Sequence, residues 1–338
     1  MTHVLLARLD NDGDVLLAGP AIRAVAAGAS RVTLLCGPRG RAAAHLLPGV
    51  DAVVVRRADW IDPDPMPFDR AAGEAWVAAL EAIGPDLAIV LGSFHQSPLP
   101  LALLLRMAGV AHVAATSVDY PGSLLDVRHT IGDDVHEVER SLELVRTLGF
   151  ALPPGDDGAL RVQHTGQAPT ALDVPYVVVH PGASVPARAW APERNAALVE
   201  ALAATGRRVV VTGAPAERAL TAHVAGHAGL DLGGATDLAG LAEVLAGADA
   251  VVVGNTGPAH LAAAVGTPVV SLFAPTVPAV RWRPWGVAHE LLYVEVPCAG
   301  CRARECPVPG HPCLGGVEVE EVVAAVGRLA PRSEPVAA

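Results

Sequence analysis

Ala250-Val251-Val252-Val253-Gly254-Asn255-Thr256-Gly257-Pro258-Ala259-His260-Leu261-Ala262-Ala263-Ala264 is the stretch on which the fold turns. Its opening β-branched run reads as a buried strand. Small and polar residues then turn the chain. Pro258 stands where a first helical residue belongs, because the N–H that proline lacks would be unsatisfied there anyway. The alanine-rich run that follows stops at Gly266-Thr267-Pro268. A helix N-terminus is thereby set at the carboxyl end of a strand. Its unpaired N–H groups and the positive end of its dipole favour an anion such as phosphate.

The same alternation extends in both directions. In the first half, strands are expected at His3–Ala7, Arg31–Cys36, Asp51–Val55, Asp86–Leu91 and Ala111–Ala115, with helical patterns between them. In the second half they are expected at Tyr176–His180, Arg208–Thr212, Ala250–Val253 and Pro268–Phe273. Helices are expected at Pro192–Ala204, Pro215–His227, Asp237–Gly247, Pro258–Val265 and Val317–Leu329. Strand–helix alternation implies parallel sheets with right-handed crossovers. The predicted organisation is an N-terminal Rossmann-like domain (1–160), a linker (161–175), a C-terminal Rossmann-like domain (176–330) and a tail (331–338). Ligands of such sheets bind at the carboxyl ends of the strands, so a cleft between the two domains is the expected site.

The chain has 338 residues, of which 51% are hydrophobic and 17% charged. Its mean hydropathy is +0.39. No stretch reaches the ~18 uninterrupted apolar residues of a spanning helix; the most apolar segment, Leu99 to Ala115, carries Arg106. The start of the chain does not read as a signal peptide, so a soluble, cytoplasmic protein is expected. The net charge of −11, without a basic run, argues against nucleic acid as a partner. Lysine is absent, so every fixed cationic role falls to one of the 24 arginines.

Several loops carry candidate chemistry. Arg8-Leu9-Asp10-Asn11-Asp12-Gly13-Asp14 joins the first strand to the first helix. Asp14 at that helix start is either a general base or, more commonly for such a position, an N-cap. Gly13 comes too early for a calcium loop, and Gly19-Pro20 should kink the helix. After the strand at Tyr176–His180, the loop to Trp190 offers the Ser184 hydroxyl and Arg188, which could hold a diphosphate bidentately. Glu217 could accept ribose hydroxyls or simply complement a helix dipole. Asn255, Thr256, Gly257 and His260 surround the anion position. Arg283, between Trp282 and Trp285, suits stacking on a sugar or base. Asn11, Gly13 and Arg283 are candidates for the acceptor side. Cys298, Cys301, Cys306 and Cys313 form a run with His311 inside it. Their spacing is not that of a standard zinc pair, and a plain ordered loop ranks ahead of structural zinc. The Walker lysine, G-x-G-x-x-G, H-E-x-x-H and G-x-S-x-G motifs are all missing.

Together these pieces resemble glycosyltransferase family 9, the heptosyltransferases. The resemblance rests on Gly13-Asp14-Val15-Leu16 with Pro20-Ala21-Ile22-Arg23-Ala24, and on His136-Glu137-Val138-Glu139-Arg140 with Leu148-Gly149. It continues through Pro181-Gly182-Ala183-Ser184 with Trp190 and Pro192-Glu193-Arg194, and is strongest over Thr256 to Pro268. It implies a GT-B fold and metal-independent, inverting transfer from a nucleotide diphosphate heptose, with ADP as the nucleotide. No cofactor beyond the donor is implied. The acceptor would be a glycan, lipid-linked or small-molecule hydroxyl, with peripheral contact at the inner membrane face. Asp14 matches the family's base, and Ser184, Arg188, Glu217, Thr256, Gly257 and His260 match donor contacts. Asn255 departs from the usual aspartate, which widens the choice of sugar. Arg188 replaces a frequent lysine. The alternatives are a GT-B transferase or epimerase using another nucleotide sugar, and a non-catalytic sugar-nucleotide-binding scaffold.

Overall fold

A computed structural model describes residues 2–166, 172 and 174–331. The chain divides into two compact units, Met1–Gln163 and His164–Ala338. Of the expected linker, residues 161–163 lie with the first unit, while 167–171 and 173 fall outside the described residues, as does the tail beyond 331.

Among the described residues the first unit holds β1 (His3–Arg8), β2 (Arg31–Cys36), β3 (Ala52–Val55), β4 (Leu87–Val90), β5 (His112–Thr116) and β6 (Val127–His129). They form one sheet in the order β3-β2-β1-β4-β5-β6, and each neighbouring pair is parallel. The second unit holds β7 (Tyr176–His180), β8 (Arg208–Val211), β9 (Gly229–Asp231), β10 (Ala250–Gly254), β11 (Val269–Leu272) and β12 (His289–Leu292). Its order is β12-β11-β10-β7-β8-β9, again parallel throughout. Counted from its own first strand, the second sheet repeats the order of the first, which is that of a doubly wound Rossmann sheet.

Strands buried on both faces read as continuous apolar runs. Val4-Leu5-Leu6, Val177-Val178-Val179 and Val251-Val252-Val253 are accordingly at most 1% exposed. The three strands that the apolar pattern does not reveal are β6, β9 and β12, and each lies at a sheet edge. Two of them are short and polar, Val127-Arg128-His129 and Gly229-Leu230-Asp231, because an edge needs no apolar partner on one side, while the fourth edge strand, β3, keeps an apolar run.

The expected kink near Pro20 interrupts the helix at a single residue. One helix runs over Asp12–Leu17 and the next over Gly19–Ala26, with Ala18 between them. Proline removes a donor and its ring opposes the carbonyl four residues back. The expected helix at Pro215–His227 is a 3-10 turn, Pro215–Glu217, followed by a helix over Arg218–Ala225. The C-terminal helix Val319–Leu329 lays Val322, Ala325 and Val326 on the core formed by Val177, Val209, Val252 and Val270. In the first unit the segment after the helix Glu137–Thr147 is fastened by Arg23, whose guanidinium donates to both Asp156 oxygens at 2.7 and 2.9 Å and to the Ala159 carbonyl. Among the described residues no helix is long and apolar enough to cross a membrane.

Candidate active site

In a sheet of this order, the loops that leave two adjacent central strands go to opposite faces, and a crevice opens between them. In the second unit those strands are β7 and β10. β10 ends at Gly254, and the loop after β7 crosses directly over that end: a Cβ on Gly254 would lie 2.7 Å from the Arg188 carbonyl oxygen. Beyond it, Thr256 is extended (φ −138°, ψ 174°) and is the N-cap of the helix Gly257–Ala264, but its side chain makes no capping bond. The helix thus starts one residue earlier than expected, with Pro258 second. Asn255 donates from Nδ2 to the Ala274 carbonyl at 3.2 Å, which fixes its amide. Its Oδ1, with the hydroxyls of Thr256 and Thr276, is buried and has no hydrogen-bond partner among the described residues. Buried polar atoms left unmatched cost free energy, so this cluster at an uncapped helix start is a candidate position for a polar ligand. His260, on the first turns of the helix, is 7% exposed.

Arg188 is half-buried at the end of the 3-10 turn Pro186–Arg188, while Ser184 is exposed on the same loop. Glu217 is half-buried; its Oε2 accepts from the Ala214 N–H at 2.7 Å. The carboxylate packs against the bare Cα of Gly182, where a Cβ would overlap it. Glu217 also precedes a helix, so the dipole reading and the ligand reading coexist at this residue. Three of the loops that carry candidate donor residues therefore meet through close contacts at Gly254 and Gly182 that only glycine permits.

His180, at the end of β7, shares a 3.0 Å hydrogen bond with the Thr212 hydroxyl. Burial pushes its imidazole from 6.5 down to about 4, and the Glu217 charge opposes this only in part. A histidine held neutral when folded takes up its proton on unfolding, so stability is complete above pH 6.5 and falls as the pH drops towards 4. His180→Gln should flatten that part of the melting-temperature profile. An unchanged slope between pH 6.5 and 4 would remove His180 as its source.

In the first unit the corresponding strands are β1 and β4. Asp14 is the third residue of its helix; the N-cap is Asn11, which makes no side-chain capping bond. The N-cap expectation for Asp14 is therefore corrected. Its Oδ1 is held at 3.0 Å by Arg8 Nη2, and its side chain is 20% exposed. Arg8, almost completely buried at the end of β1, also pairs with Asp10 at 3.1 Å and with Glu137 at 3.2 Å, and donates to the Ser93 hydroxyl after β4 at 3.2 Å. Asp12 turns away and accepts from the Ala43 N–H at 2.9 Å. Asn11 is exposed and Gly13 buried. Arg8, Ser93 and Glu137 were not singled out as site residues. Two of them carried a signal: an arginine closing an otherwise apolar strand, and a glutamate inside His136-Glu137-Val138-Glu139-Arg140.

Arg283 is exposed just after the helix Ala279–Trp282. The buried cation of that segment is Arg281, 6.0 Å from the Trp282 ring centre. All five cysteines are free thiols. Cys298, Cys301, Cys306 and Cys313 line a shallow pocket with His311, Ala187 and Thr276. Burial, then the neighbouring cysteines, raise the Cys313 thiol. Among the described residues no group of three or more His, Cys, Asp or Glu is arranged to hold a metal ion. The run instead clasps the site's loops: Ala187 N–H donates to the Arg304 carbonyl, Arg302 N–H to Thr276 and Gly300 N–H to Pro275. His311 Nε2 lies 3.1 Å from the Ala187 carbonyl oxygen. Trp190, expected as part of the donor loop, has a structural task, donating from Nε1 to the Leu314 carbonyl at 3.0 Å.

The profile of glycosyltransferase family 9 (heptosyltransferase) matches residues 84–311. The chain belongs to this family. Lipopolysaccharide heptosyltransferase 1 of Pseudomonas aeruginosa is 34% identical over 62% of this chain and 61% of its own length. Lipopolysaccharide heptosyltransferase 3 of Escherichia coli is 29% identical over 56% of each. The chain thus spans about three fifths of the length of these two curated relatives. A glycosyl transferase of family 9 from Veillonella parvula superposes with a TM-score of 0.77 at 16% identity, covering 98% of both chains. The E. coli heptosyltransferase WaaC, solved with ADP-2-deoxy-2-fluoro heptose, superposes at 0.70 and 24% identity, covering 96% of this chain and 99% of its own. The fold of this family 9 chain is accordingly the α/β GT-B fold, built from two parallel-sheet units.

Proposed function

We propose that this family 9 chain is a heptosyltransferase that moves heptose, with inversion, from a nucleoside diphosphate donor to a hydroxyl of a lipopolysaccharide-type acceptor. The observation that carries the reading is the uncapped start of the helix Gly257–Ala264, beside the unmatched Asn255 Oδ1 and Thr256 Oγ1. A diphosphate there would accept from first-turn N–H groups and gain from the helix dipole. Arg188, Ser184 and His260 would stabilise the charge growing on the leaving diphosphate, as preorganised donors do, without needing a metal. Glu217 would accept the ribose hydroxyls. Asp14 would take the proton of the acceptor hydroxyl as that oxygen attacks the anomeric carbon from the face opposite the diphosphate.

ADP is the proposed nucleotide because relatives are named lipopolysaccharide heptosyltransferases and WaaC holds an ADP-heptose analogue. The amphiphilic character of such an acceptor agrees with the exposed Leu103, Met107, Val118 and Tyr120 of the first unit, which suit peripheral contact at a membrane face. A second reading, a different nucleotide sugar, is favoured by one residue: Asn255 is neutral where an acid would carry charge beside the sugar. A thermal-shift series separates the two. ADP at ~100 times its dissociation constant should raise the melting temperature by roughly 5 °C or more, with UDP, GDP and TDP well below it, and EDTA should not change the result. A larger shift with another nucleoside diphosphate would replace ADP as the donor nucleotide.

A further inference from the structure

Four groups compete for a single guanidinium in the first unit, and their arrangement bears on the proposed base. Arg8 sits at the carboxyl end of β1 with its side chain 1% exposed. Its Nη2 reaches both Asp14 Oδ1 (3.0 Å) and the Ser93 hydroxyl (3.2 Å); its Nη1 reaches Glu137 Oε2 (3.2 Å); its Nε lies 3.1 Å from Asp10 Oδ1. These partners come from the loop after β1, the helix Asp12–Leu17, the loop after β4 and the helix Glu137–Thr147. Arg140 stands behind Glu137, 3.9 Å from its other oxygen.

Burying a cation is costly unless it is paired and hydrogen-bonded. Two of its partners are themselves almost fully buried: the side chains of Asp10 and Glu137 are 6% and 1% exposed. Asp14 differs. It is 20% exposed, and among the described residues its second oxygen, Oδ2, takes no hydrogen bond. Glu137, Ser93 and Asp10 thus fix the guanidinium, and the guanidinium fixes one oxygen of the only carboxylate of the set with substantial access to solvent.

We propose that Arg8 is the positioning residue for Asp14, holding its carboxylate by Oδ1 so that Oδ2 is presented to the acceptor hydroxyl, with Glu137 as the anchor that keeps Arg8 in place. The inference rests on the reading of Asp14 as the base. Near neutrality Asp10 competes for the guanidinium only in part, because burial raises its carboxyl to about 7 against the pull of Arg8. Ser93 supports the same nitrogen that holds Asp14 without adding charge.

The test is the pH dependence of ADP release from ADP-heptose in the presence of a heptose-deficient lipopolysaccharide core, measured on the full chain. Arg8→Gln should move the acid limb of kcat/KM upward by about one pH unit or more and lower kcat by roughly 100-fold through misplacement of the base. ADP binding should persist, since the proposed ADP contacts belong to the second unit. Arg8→Lys should bring the limb back and recover part of kcat. A limb that stays in place in Arg8→Gln while only the amplitude falls assigns Arg8 a structural role and overturns the inference. Should Arg8→Gln fail to fold, Glu137→Gln decides: removing one negative charge from the cluster should move the limb to lower pH, and an unmoved limb overturns the inference. The underlying reading fails separately, and takes the inference with it, if Asp14→Asn retains normal turnover or if the unaltered chain binds ADP but releases none from the donor.

Discussion

Asp14→Asn should lower turnover by about 10³-fold, in the middle of the range for loss of a general base, and leave the ADP-induced thermal shift intact. The amide has the shape of the carboxylate and its oxygen can still accept from Arg8 Nη2, but it cannot take a proton from the acceptor. The fold should survive because Arg8 keeps Asp10 and Glu137 as counter-charges. The exchange also relieves crowding, since three carboxylates now share one guanidinium. Single-turnover ADP release with saturating donor isolates the chemical step from binding. Turnover within a few fold of the unaltered chain would show that another group receives the proton, and the buried Asp10, whose carboxyl lies at about 7, would be the next to replace.

Gly254→Ala should weaken ADP binding by roughly 100-fold and destabilise the second unit by about 1–3 kcal/mol. The new Cβ would meet the Arg188 carbonyl oxygen at 2.7 Å. That atom belongs to the backbone and cannot rotate away, so the loop after β7 must lift off the end of β10. Lifting it moves Ser184 and Arg188 away from the helix start at Thr256. It also strains the contact between that loop and the cysteine run, where Ala187 bonds to the Arg304 backbone. Gly327→Ala is the control. It lies inside the helix Val319–Leu329 with nothing within 4 Å of its added Cβ, so it should be neutral or slightly stabilising. Calorimetric titration of ADP into both variants checks the pair; equal affinities would mean that the β7 loop does not shape the donor site.

The central strands were legible from their apolar runs because a strand buried on both faces has no polar alternation to hide it. β2 and β7 match their expected limits, Arg31–Cys36 and Tyr176–His180. The polar edge strands β6 and β9, and the edge strand β12, escaped for the converse reason, whereas the edge strand β3 was legible from Val53-Val54-Val55. The helix start after β10 was also legible to within one residue, because Gly257-Pro258 after a valine run admits little else. The linkage of Asp14 was not. An aspartate near a helix start looks the same in sequence whether it caps the helix or turns to an arginine six residues earlier, and only the side-chain geometry separates the two.

By itself the sequence determined that there are two strand–helix alternating halves, that each is parallel, and where a strand end delivers an anion-binding helix start. These follow from local periodicity, proline chemistry and glycine spacing, which act over a few residues. Tertiary structure decided the order of the strands in each sheet, the crossing of the Arg188 loop over Gly254, and the convergence of Arg8, Ser93 and Glu137 on Asp14. Arg8 and Glu137 are 129 positions apart. A buried charge is stable only where distant segments bring its counter-charges together, and no local pattern records that meeting.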